Sequence, residues 1–273
     1  MTNNVREGLG RSEVYLLSSI LSKEKTSFTI QEAMEISGYE RRKLINTLYK
    51  LAKKGWLLRI ERGKYQIIPL ESGTSPVYME HSFILASTLI DPYYIGFWSA
   101  LNYYGCTEQT PSTVFIATLK RKREISVGKI GFKFVYLSKR KFFGYDKEWV
   151  GNRKVNISDR EKTIVDCLDH PELCGGIAEV AKGLWNSRNE VSWGKLLNYA
   201  LKVGNSAVLK RLGYLIELMG IKTEHGFIEE LRKNMAKGFV KLDPTVKGKR
   251  RYNSRWMLIP NISEDEVLEW MRH

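Results

Sequence analysis

The spacing of apolar residues predicts two short helices near the amino terminus. The first covers residues 13–21, and a side chain such as Ser12 is suited to cap its start. The side chains expected on its buried face are Val14, Leu17 and Leu21. The second helix covers residues 30–36 and follows a capping box, in which Thr29 and Glu32 would each bond to the other's backbone amide.

A third apolar pattern predicts the helix over residues 40–54. Its buried face is formed by Leu44, Leu48 and Leu51, widened by Ile45 and Ala52. Two β-rich runs follow at residues 56–60 and 65–68, and Gly63 between them suits a tight turn. Helices followed by a two-stranded ribbon are the order that a winged helix-turn-helix needs, so we predict this fold for residues 1–70.

The remaining sequence alternates between strand and helix patterns. A turn-rich segment at residues 71–76 is the expected domain boundary, with a larger mixed α/β domain over residues 71–273. Strands are predicted at 113–118, 125–127, 131–137, 155–157 and 256–259. Two helices are predicted before the strands, one from Glu80 and one over 92–105. A third runs from the capping box of Ser158 and Glu161 to Leu168, and a fourth from after Gly176 to Leu184. Three more are predicted over 193–202 behind Ser192, over 205–219, and from Ser263. The fold class is therefore α+β.

Two of these helices raise a choice between core and surface roles. The helix over residues 92–105, which Asp91 and Pro92 would start, is rich in aromatic residues. We expect its rings to be core in preference to a base-stacking surface. In the helix over residues 205–219 the expected core positions are Val208, Leu212, Leu215 and Ile216. Its Lys210 and Arg211 are expected to be exposed.

Composition adds a strong positive charge to this picture. The chain of 273 residues has a formal net charge of +14 and a pI near 9.6. Such a charge favours a polyanionic partner, although some proteins are basic only for solubility. No apolar run is long enough to span a membrane and the amino terminus has no signal-peptide core, so a cytoplasmic location without a membrane partner is expected.

Half of this charge falls in one segment. Residues 37–64 hold nine Lys or Arg and two Glu. Arginine forks suit guanine, asparagine amides suit adenine, and lysines suit phosphates. The residues expected to contact double-stranded DNA are Tyr39, Arg41, Arg42, Lys43, Asn46, Tyr49, Lys50 and Lys53 on or before the third helix, and Arg62 and Lys64 on the wing.

A second basic field lies between residues 120 and 162, with fourteen Lys or Arg and five Asp or Glu. Its two densest runs are Lys120, Arg121, Lys122 and Arg123, and Lys139, Arg140 and Lys141. These runs are equally consistent with nucleic-acid contact and with a sheet edge that lysines protect from aggregation. A further basic run follows at residues 247–251.

Motifs for catalysis are missing from the sequence. It contains no phosphate-binding glycine loop and no zinc-protease or zinc-cluster spacing, so we expect no cofactor, no metal and no enzymatic activity. Cys106, Cys167 and Cys174 are expected to be buried, unpaired thiols. The acids Asp159, Glu161, Asp166 and Asp169 lie close together along the chain. Helix capping is the favoured interpretation of the first two, and a nuclease-like metal site is the alternative.

Several segments of the larger domain form a recognisable set. They are SDREKTIVDCLDHPELCGG at residues 158–176, YYIGFWSALNYYGCTEQTPSTVFIAT, KFFG and VGNSAVLKRLGYLIELMG. Together they resemble the AbiEi-type antitoxins of type IV toxin–antitoxin systems. The resemblance is strongest over residues 93–220, and the block at 158–176 is its most specific part. A winged helix compatible with the family precedes these segments.

The resemblance implies a transcriptional autorepressor that binds its own operator and counteracts a nucleotidyltransferase toxin. In such systems the antitoxin opposes the effect of the toxin and need not bind it, so a stable complex is not expected. The resemblance places the DNA-binding module on the winged helix and assigns no catalytic residue. Two alternatives stay open: a nuclease-like enzymatic domain after the winged helix, and an antitoxin that grips its toxin directly.

Overall fold

The computed structural model describes residues 7–68, 79–109, 111–127, 130–151, 153–248 and 252–272. It divides into two compact units. The smaller unit holds residues 1–82 and 126–130, and the larger unit holds the remainder. The predicted boundary at residues 70–71 and its turn-rich segment lie outside the described residues.

The smaller unit is a three-helix winged fold. Its helices are α1 (Arg11–Leu21), α2 (Ile30–Ser37) and α3 (Arg41–Lys53), and its strands are β1 (Ser27–Thr29), β2 (Leu57–Glu61) and β3 (Lys64–Ile67). The sheet order is β1-β3-β2, with both pairs antiparallel. The strand β1 is an element that the sequence prediction missed, because three residues are too few to show a period of two.

The core of this unit lies between the helices and the sheet. The leucines predicted for α3, Leu44, Leu48 and Leu51, are fully buried. On α1 the prediction was partly wrong, because Val14 and Leu21 are 45% and 47% exposed. The buried stripe of α1 is instead Glu13, Leu16, Leu17 and Ile20. A glutamate can lie on the buried face because its carboxylate accepts a hydrogen bond from the Gly10 amide. The buried face of α1 therefore differs from the purely apolar face that the sequence predicted.

The capping box predicted at Thr29 and Glu32 is present, and Ser37 is the last residue of α2. The C-cap Gly38 has a φ of +68°, in the left-handed region that a glycine adopts without strain. Ile45, predicted to widen the apolar stripe of α3, is 43% exposed and lies outside the core.

The larger unit is a mixed α/β domain, described together with the elements that cross the division between the units at residues 79–82, 126–127 and 130. Its helices are α4 (Met79–Leu89), α5 (Phe97–Tyr103), α6 (Arg160–Asp169), α7 (Ile177–Ser187), α8 (Trp193–Val203), α9 (Ser206–Leu218), α10 (Phe227–Lys233) and α11 (Glu264–Leu268). Its strands are β4 (Tyr93–Ile95), β5 (Thr113–Thr118), β6 (Ile125–Val127), β7 (Ile130–Tyr136), β8 (Tyr145–Val150), β9 (Arg153–Ser158), β10 (Val240–Lys241) and β11 (Leu258–Ile259). Short 3-10 turns cover Pro171–Leu173 and Glu269–Arg272.

Six of these strands form one sheet in the order β6-β7-β5-β4-β9-β8. The neighbours β5 and β7 are parallel, as are β4 and β9, while β4–β5 and β8–β9 are antiparallel. The helix predicted over residues 92–105 was wrong in its first half. Tyr93–Ile95 forms β4, and all three of its side chains are buried. A central strand is covered on both faces, so its apolar run shows no alternation by which a sequence pattern could identify it.

Helix α6 passes through the centre of the larger core. Nine of its ten residues are buried, Ile164, Val165 and Leu168 among them as predicted. The N-cap is Asp159, whose carboxylate accepts from the Lys162 amide, and not Ser158, which ends β9. Ser192, Asn205 and Ser263 cap α8, α9 and α11 as predicted.

Two residues of α9 contradict the prediction that they are exposed. Lys210 and Arg211 are only 1% and 6% exposed. The Arg211 guanidinium donates to the carbonyls of Leu168, Lys241 and Leu242 at 2.6, 3.2 and 3.0 Å. It therefore joins the last turn of α6, whose carbonyls have no partner within the helix, to the carbonyls at and just after the end of β10.

The three cysteines are free and buried, as predicted. The aromatic residues of the 92–105 segment are core residues as well: Tyr94 and Phe97 are fully buried, and Trp98 and Tyr104 pack against the same cluster. Among the described residues no helix has both the length and the apolarity needed to cross a lipid bilayer.

Candidate nucleic-acid interface

One face of α3 carries polar and cationic side chains without acids. Leu44, Leu48 and Leu51 turn the opposite face into the core, and this orients the helix about its own axis. The exposed face contains Arg42, Asn46, Tyr49, Lys50 and Lys53. These five residues are spaced at i, i+4, i+7, i+8 and i+11, so they form a single stripe along the helix. The structure thus brings together the side chains that the sequence placed on a readout face.

The first turn of α3 is unusually basic for a helix start. Arg41, Arg42 and Lys43 are its first three residues, and the turn contains no acid. Helix stability favours negative charge here, because the free amides and the macrodipole make this end positive. The N-cap Glu40 makes no side-chain hydrogen bond to this turn. The arrangement sacrifices helix stability and concentrates positive charge where an anion such as a phosphate binds well.

These cations have few internal partners. Within the described part of the chain, Arg41, Arg42, Lys50, Lys53 and Arg62 form no ion pair and no side-chain hydrogen bond. A solvated face usually mixes signs so that neighbouring charges compensate one another. Uncompensated cations on one side of a helix are instead available to neutralise phosphates.

The turn before α3 is organised around Tyr39. Its hydroxyl donates to the Ser12 carbonyl at 3.2 Å, and its ring stacks on Tyr15 with centroids 5.6 Å apart. The Lys43 ammonium lies 3.9 Å from the centre of the Tyr39 ring. Tyr39 is therefore half-buried and occupied by intramolecular contacts, and its first role is to hold α1, the turn and the first turn of α3 together.

Sequence reasoning missed Tyr15, which is 51% exposed beside this turn. No local pattern marks it, because its partner Tyr39 lies 24 positions further along the chain. Only the crossing of α1 and α3 brings the two rings together.

The wing is a tight hairpin between β2 and β3. Gly63 has a φ of +78°, and its carbonyl accepts from the Ile30 amide at 2.9 Å, which ties the tip to the start of α2. Arg62 is exposed at the tip, while Lys64 is half-buried. The register shifts between Arg59 and Glu61, a bulge that strengthens the twist of the hairpin.

The second basic field lies at one end of the large sheet. The run at 120–123 follows β5, and the run at 139–141 follows β7. These two strands are parallel neighbours, paired at Thr118 and Tyr136, so both runs leave the sheet at the same end. Several of its cations have internal roles, however. Lys120 and Lys122 donate to the carbonyls of Asp91 and Leu89, and Arg121 lies over the Tyr136 ring.

The other run behaves in the same way. Arg140 donates to the Lys202 carbonyl at 2.9 Å, and Lys141 forms an ion pair with Asp169 at 2.5 Å. Arg123 and Lys139 are exposed. This field is therefore partly built into the fold, unlike the α3 face. Of the later run, residues 249–251 lie outside the described residues.

The four acids near α6 do not converge on a common point. Asp159 caps α6 and also accepts from the Tyr199 hydroxyl, and Glu161 accepts from the Ser192 amide at 2.8 Å. The Lys195 ammonium lies between them, 3.2 Å from Asp159 and 3.0 Å from Glu161. Burial raises the pKa of the Asp159 carboxyl above its usual value, and these two carboxyls raise the pKa of the Lys195 ammonium despite its burial.

The other two acids are paired in separate places. Asp166 lies in the core against the Lys162 ammonium and accepts from the Tyr94 hydroxyl at 2.8 Å. Asp169 accepts from the Asn205 amide at 2.6 Å and pairs with Lys141. Among the described residues no group of three or more His, Cys, Asp or Glu side chains is arranged to hold a metal ion.

Comparison with known proteins bears on the smaller unit and on the fold. Residues 15–68 match the model of a family described as transcriptional regulator, AbiEi antitoxin. No curated protein matches the sequence. The crystal structure of the RV2827C protein from Mycobacterium tuberculosis has a TM-score of 0.69 at 12% identity, and the alignment covers 100% of this chain and 98% of that one. At this identity the likeness shows the fold alone.

The family match confirms the AbiEi resemblance in the region of the winged helix. It runs from within α1 to the end of β3, and the residues predicted to contact DNA on α3 and the wing lie inside it. The match does not extend to residues 93–220, from which the resemblance was drawn.

Proposed function

We propose that this chain, whose residues 15–68 match the AbiEi antitoxin regulators, binds its own operator as a transcriptional autorepressor. The observation that carries the proposal is the α3 stripe, cationic and unpaired on one side and buried through leucines on the other. In a winged helix this helix enters the major groove, where Arg42 and Asn46 would reach base edges. Lys50 and Lys53 would lie along the phosphates, and Arg62 on the wing would contact a neighbouring phosphate or the minor groove.

A gel shift with the DNA upstream of the protein's own reading frame tests this proposal. The wild type is expected to bind that duplex more tightly than a scrambled one, and Arg41→Ala/Arg42→Ala is expected to abolish the difference. Lys23→Ala is a matched control, since Lys23 is an exposed lysine after α1, outside the α3 stripe.

Salt provides the second readout of this test. Removing one phosphate-binding cation should reduce the slope of log affinity against log salt by about 0.9. Binding that is insensitive to salt, or equal affinity of the wild type and the double variant, would disprove the assignment of the interface.

The larger unit is proposed to carry the antitoxin activity, directed against a nucleotidyltransferase toxin of the type IV class. The proposal rests on the AbiEi resemblance of residues 93–220 and includes no stable complex with the toxin. Co-expression with a nucleotidyltransferase toxin of this class tests it: growth should be restored while the two proteins separate on purification. Co-purification of the pair at high salt would favour the alternative antitoxin that grips its toxin.

We also propose that the chain is not an enzyme. The nuclease alternative needs carboxylates that share a metal, whereas Asp159, Asp166 and Asp169 are each engaged by a different lysine. Incubation of the purified protein with labelled RNA and DNA in the presence of Mg²⁺ or Mn²⁺ is expected to leave both intact. Cleavage that disappears in Asp159→Ala would establish the nuclease alternative.

A further inference from the structure

A further strongly basic segment of the larger unit, residues 232–255, lies near its carboxyl end. Its described residues, 232–248 and 252–255, contain six Lys or Arg and a single acid, Asp243. That acid is buried at 2% exposure and is used internally, because its carboxylate accepts from the amides of Ile177 and Thr245. The exposed charged side chains of the segment are therefore cationic. Lys233 and Arg255 pair with Glu230 and Glu217, and Lys237 and Lys247 are exposed as well.

Two large aromatic side chains lie exposed in this basic segment. Phe239 and Tyr252 are 45% and 55% exposed, and neither belongs to the hydrophobic core of the larger unit. Their ring centroids are 4.9 Å apart with planes at 68°, an edge-to-face pair. In this arrangement each ring keeps at least one face that its neighbour does not cover.

The backbone beneath both rings is held in place. The Val240 amide donates to the Met257 carbonyl at 3.2 Å, next to Phe239. Next to Tyr252, Asn253 and Leu258 exchange two backbone hydrogen bonds, of 2.9 and 3.1 Å. The pair is thus fixed on paired backbone segments, which lowers the entropy cost of binding a ligand against it.

The buried Lys210 supports the same loop. Its ammonium donates to the carbonyl of Gly238, adjacent to Phe239, at 2.6 Å. Burial lowers the pKa of this ammonium below its ordinary value. The fold keeps this ammonium buried although removing a charge from water is costly. Its hydrogen bond fixes the backbone of Gly238, the residue before Phe239.

Tyr252 also lines a groove. Its volume is about 420 Å³, in the range of small-ligand sites. Its lining combines rings with hydrogen-bonding groups: Tyr214, Tyr252, Asn253, Pro260, Ile262, Ser263 and Glu264. Amide, hydroxyl and carboxylate groups beside an aromatic wall are suited to the edge of a flat, polar heterocycle.

We propose that Phe239 and Tyr252 form a stacking platform for a single strand of nucleic acid. Unpaired bases offer the flat faces that such rings bind, and exposed cations of the same segment, such as Lys237 and Lys247, would neutralise the backbone. A duplex conceals its base faces by stacking, so it would gain only the attraction between charges. This surface lies in the larger unit and is independent of operator binding by α3.

Fluorescence anisotropy with the full chain at low salt tests the proposal. The Arg41→Ala/Arg42→Ala/Lys50→Ala/Lys53→Ala variant serves as the parent, so that these four cations of α3 do not contribute. The probes are labelled twelve-residue oligouridylate and oligothymidylate and a duplex of equal length. The parent is expected to bind a single strand more tightly than the duplex, and the ratio between the two single strands identifies whether RNA or DNA is preferred.

In this parent, Phe239→Ala and Tyr252→Ala are each expected to weaken single-strand binding about tenfold, within the range expected for removal of one base stack. Phe239→Trp should retain binding. The Tm should not change, since both rings lie outside the core. Trp149→Ala is the matched control, because Trp149 is 63% exposed beside Lys154 and lies on β8, away from the segment.

Two outcomes would overturn the proposal. One is a parent that does not bind single strands in preference to the duplex. The other is single-strand affinity that is unchanged in both alanine variants, or reduced as much by Trp149→Ala as by the platform variants.

Discussion

The ammonium of Lys54 donates to the carboxylate of Glu13 at 2.7 Å and joins the residue after α3 to the first turn of α1. The same glutamate accepts from the Gly10 amide, and Lys54 also donates to the Gly8 carbonyl. The pair is largely buried, with side-chain exposures of 6% for Glu13 and 22% for Lys54. Lys54 is thus a cation of the basic segment that belongs to the fold and not to the readout face, and it anchors the end of α3.

We expect Glu13→Gln to lower the free energy of unfolding of the smaller unit by about 1.5–3 kcal/mol, the usual contribution of a hydrogen bond to a charged group. Lys54→Met should cost more, about 3 kcal/mol or above, because it leaves the Glu13 carboxylate buried without its cation. Hydrogen exchange of the α3 amides in the full chain measures both. Glu35→Gln, at an exposed glutamate of α2, is the control and should stay within about 0.5 kcal/mol. Equal protection in all variants would show that the pair contributes nothing.

The stability of the smaller unit should fall in acid. The hydrogen bond from Lys54 lowers the pKa of Glu13, and the hydrogen bond from Lys25 lowers the pKa of Glu32, below the ordinary value of 4.5. A lowered carboxyl pKa contributes stability that is fully present above the unfolded value and is lost as pH falls through the folded value. The difference in free energy of unfolding between the wild type and Glu13→Gln/Glu32→Gln, measured by hydrogen exchange, should therefore be constant near neutrality. It should shrink below about pH 4.5. A difference that persists well below both folded pKa values would contradict this linkage.

Asn46 and Lys50 lie one turn apart on the exposed stripe of α3 and should affect DNA binding differently. We expect Asn46→Ala to cost about 1–3 kcal/mol on the operator and little on scrambled DNA, because base-edge contacts carry sequence preference. Lys50→Ala should weaken both duplexes alike and reduce the salt slope by about 1. Titrations of each duplex at several salt concentrations separate the two effects. A uniform loss for Asn46→Ala would place Asn46 on the backbone instead.

Lys162 and Asp166 form an ion pair in the core of the larger unit, with side-chain exposures of 0% and 3%. We expect Lys162→Met to destabilise the protein by about 3–5 kcal/mol, because it leaves a buried carboxylate with only the Tyr94 hydroxyl as a strong partner. Adding Asp166→Leu should recover much of this loss, since the uncompensated charge is removed. Urea denaturation followed by circular dichroism measures both variants. A double variant as unstable as the single one would mean that packing, not charge, dominates at this position.

The local chemistry of the sequence determined much of the smaller unit. Three leucines at helical spacing oriented α3, Thr29 and Glu32 marked the start of α2, and Gly38 marked its end. These signals act between residues at most a few positions apart, so they can be read without knowing the fold. The exposed cationic stripe follows from them, because burying the leucines leaves only one orientation for the rest of the helix.

Other features depended on partners distant in the chain, and only the tertiary structure decided them. Arg211 is buried because three carbonyl groups, from Leu168 and from 241–242, converge on it. The segment 93–95 is a strand because β5 and β9 flank it, although Asp91 and Pro92 are a good helix start.

The same holds for side chains whose roles the local pattern left open. Lys54 is structural because Glu13 faces it, and Phe239 gains its aromatic partner from Tyr252, thirteen positions away. A single sequence records which groups require a partner, since an unpaired charge or carbonyl is costly to bury. It does not record which distant segment supplies that partner, because this depends on how the elements pack.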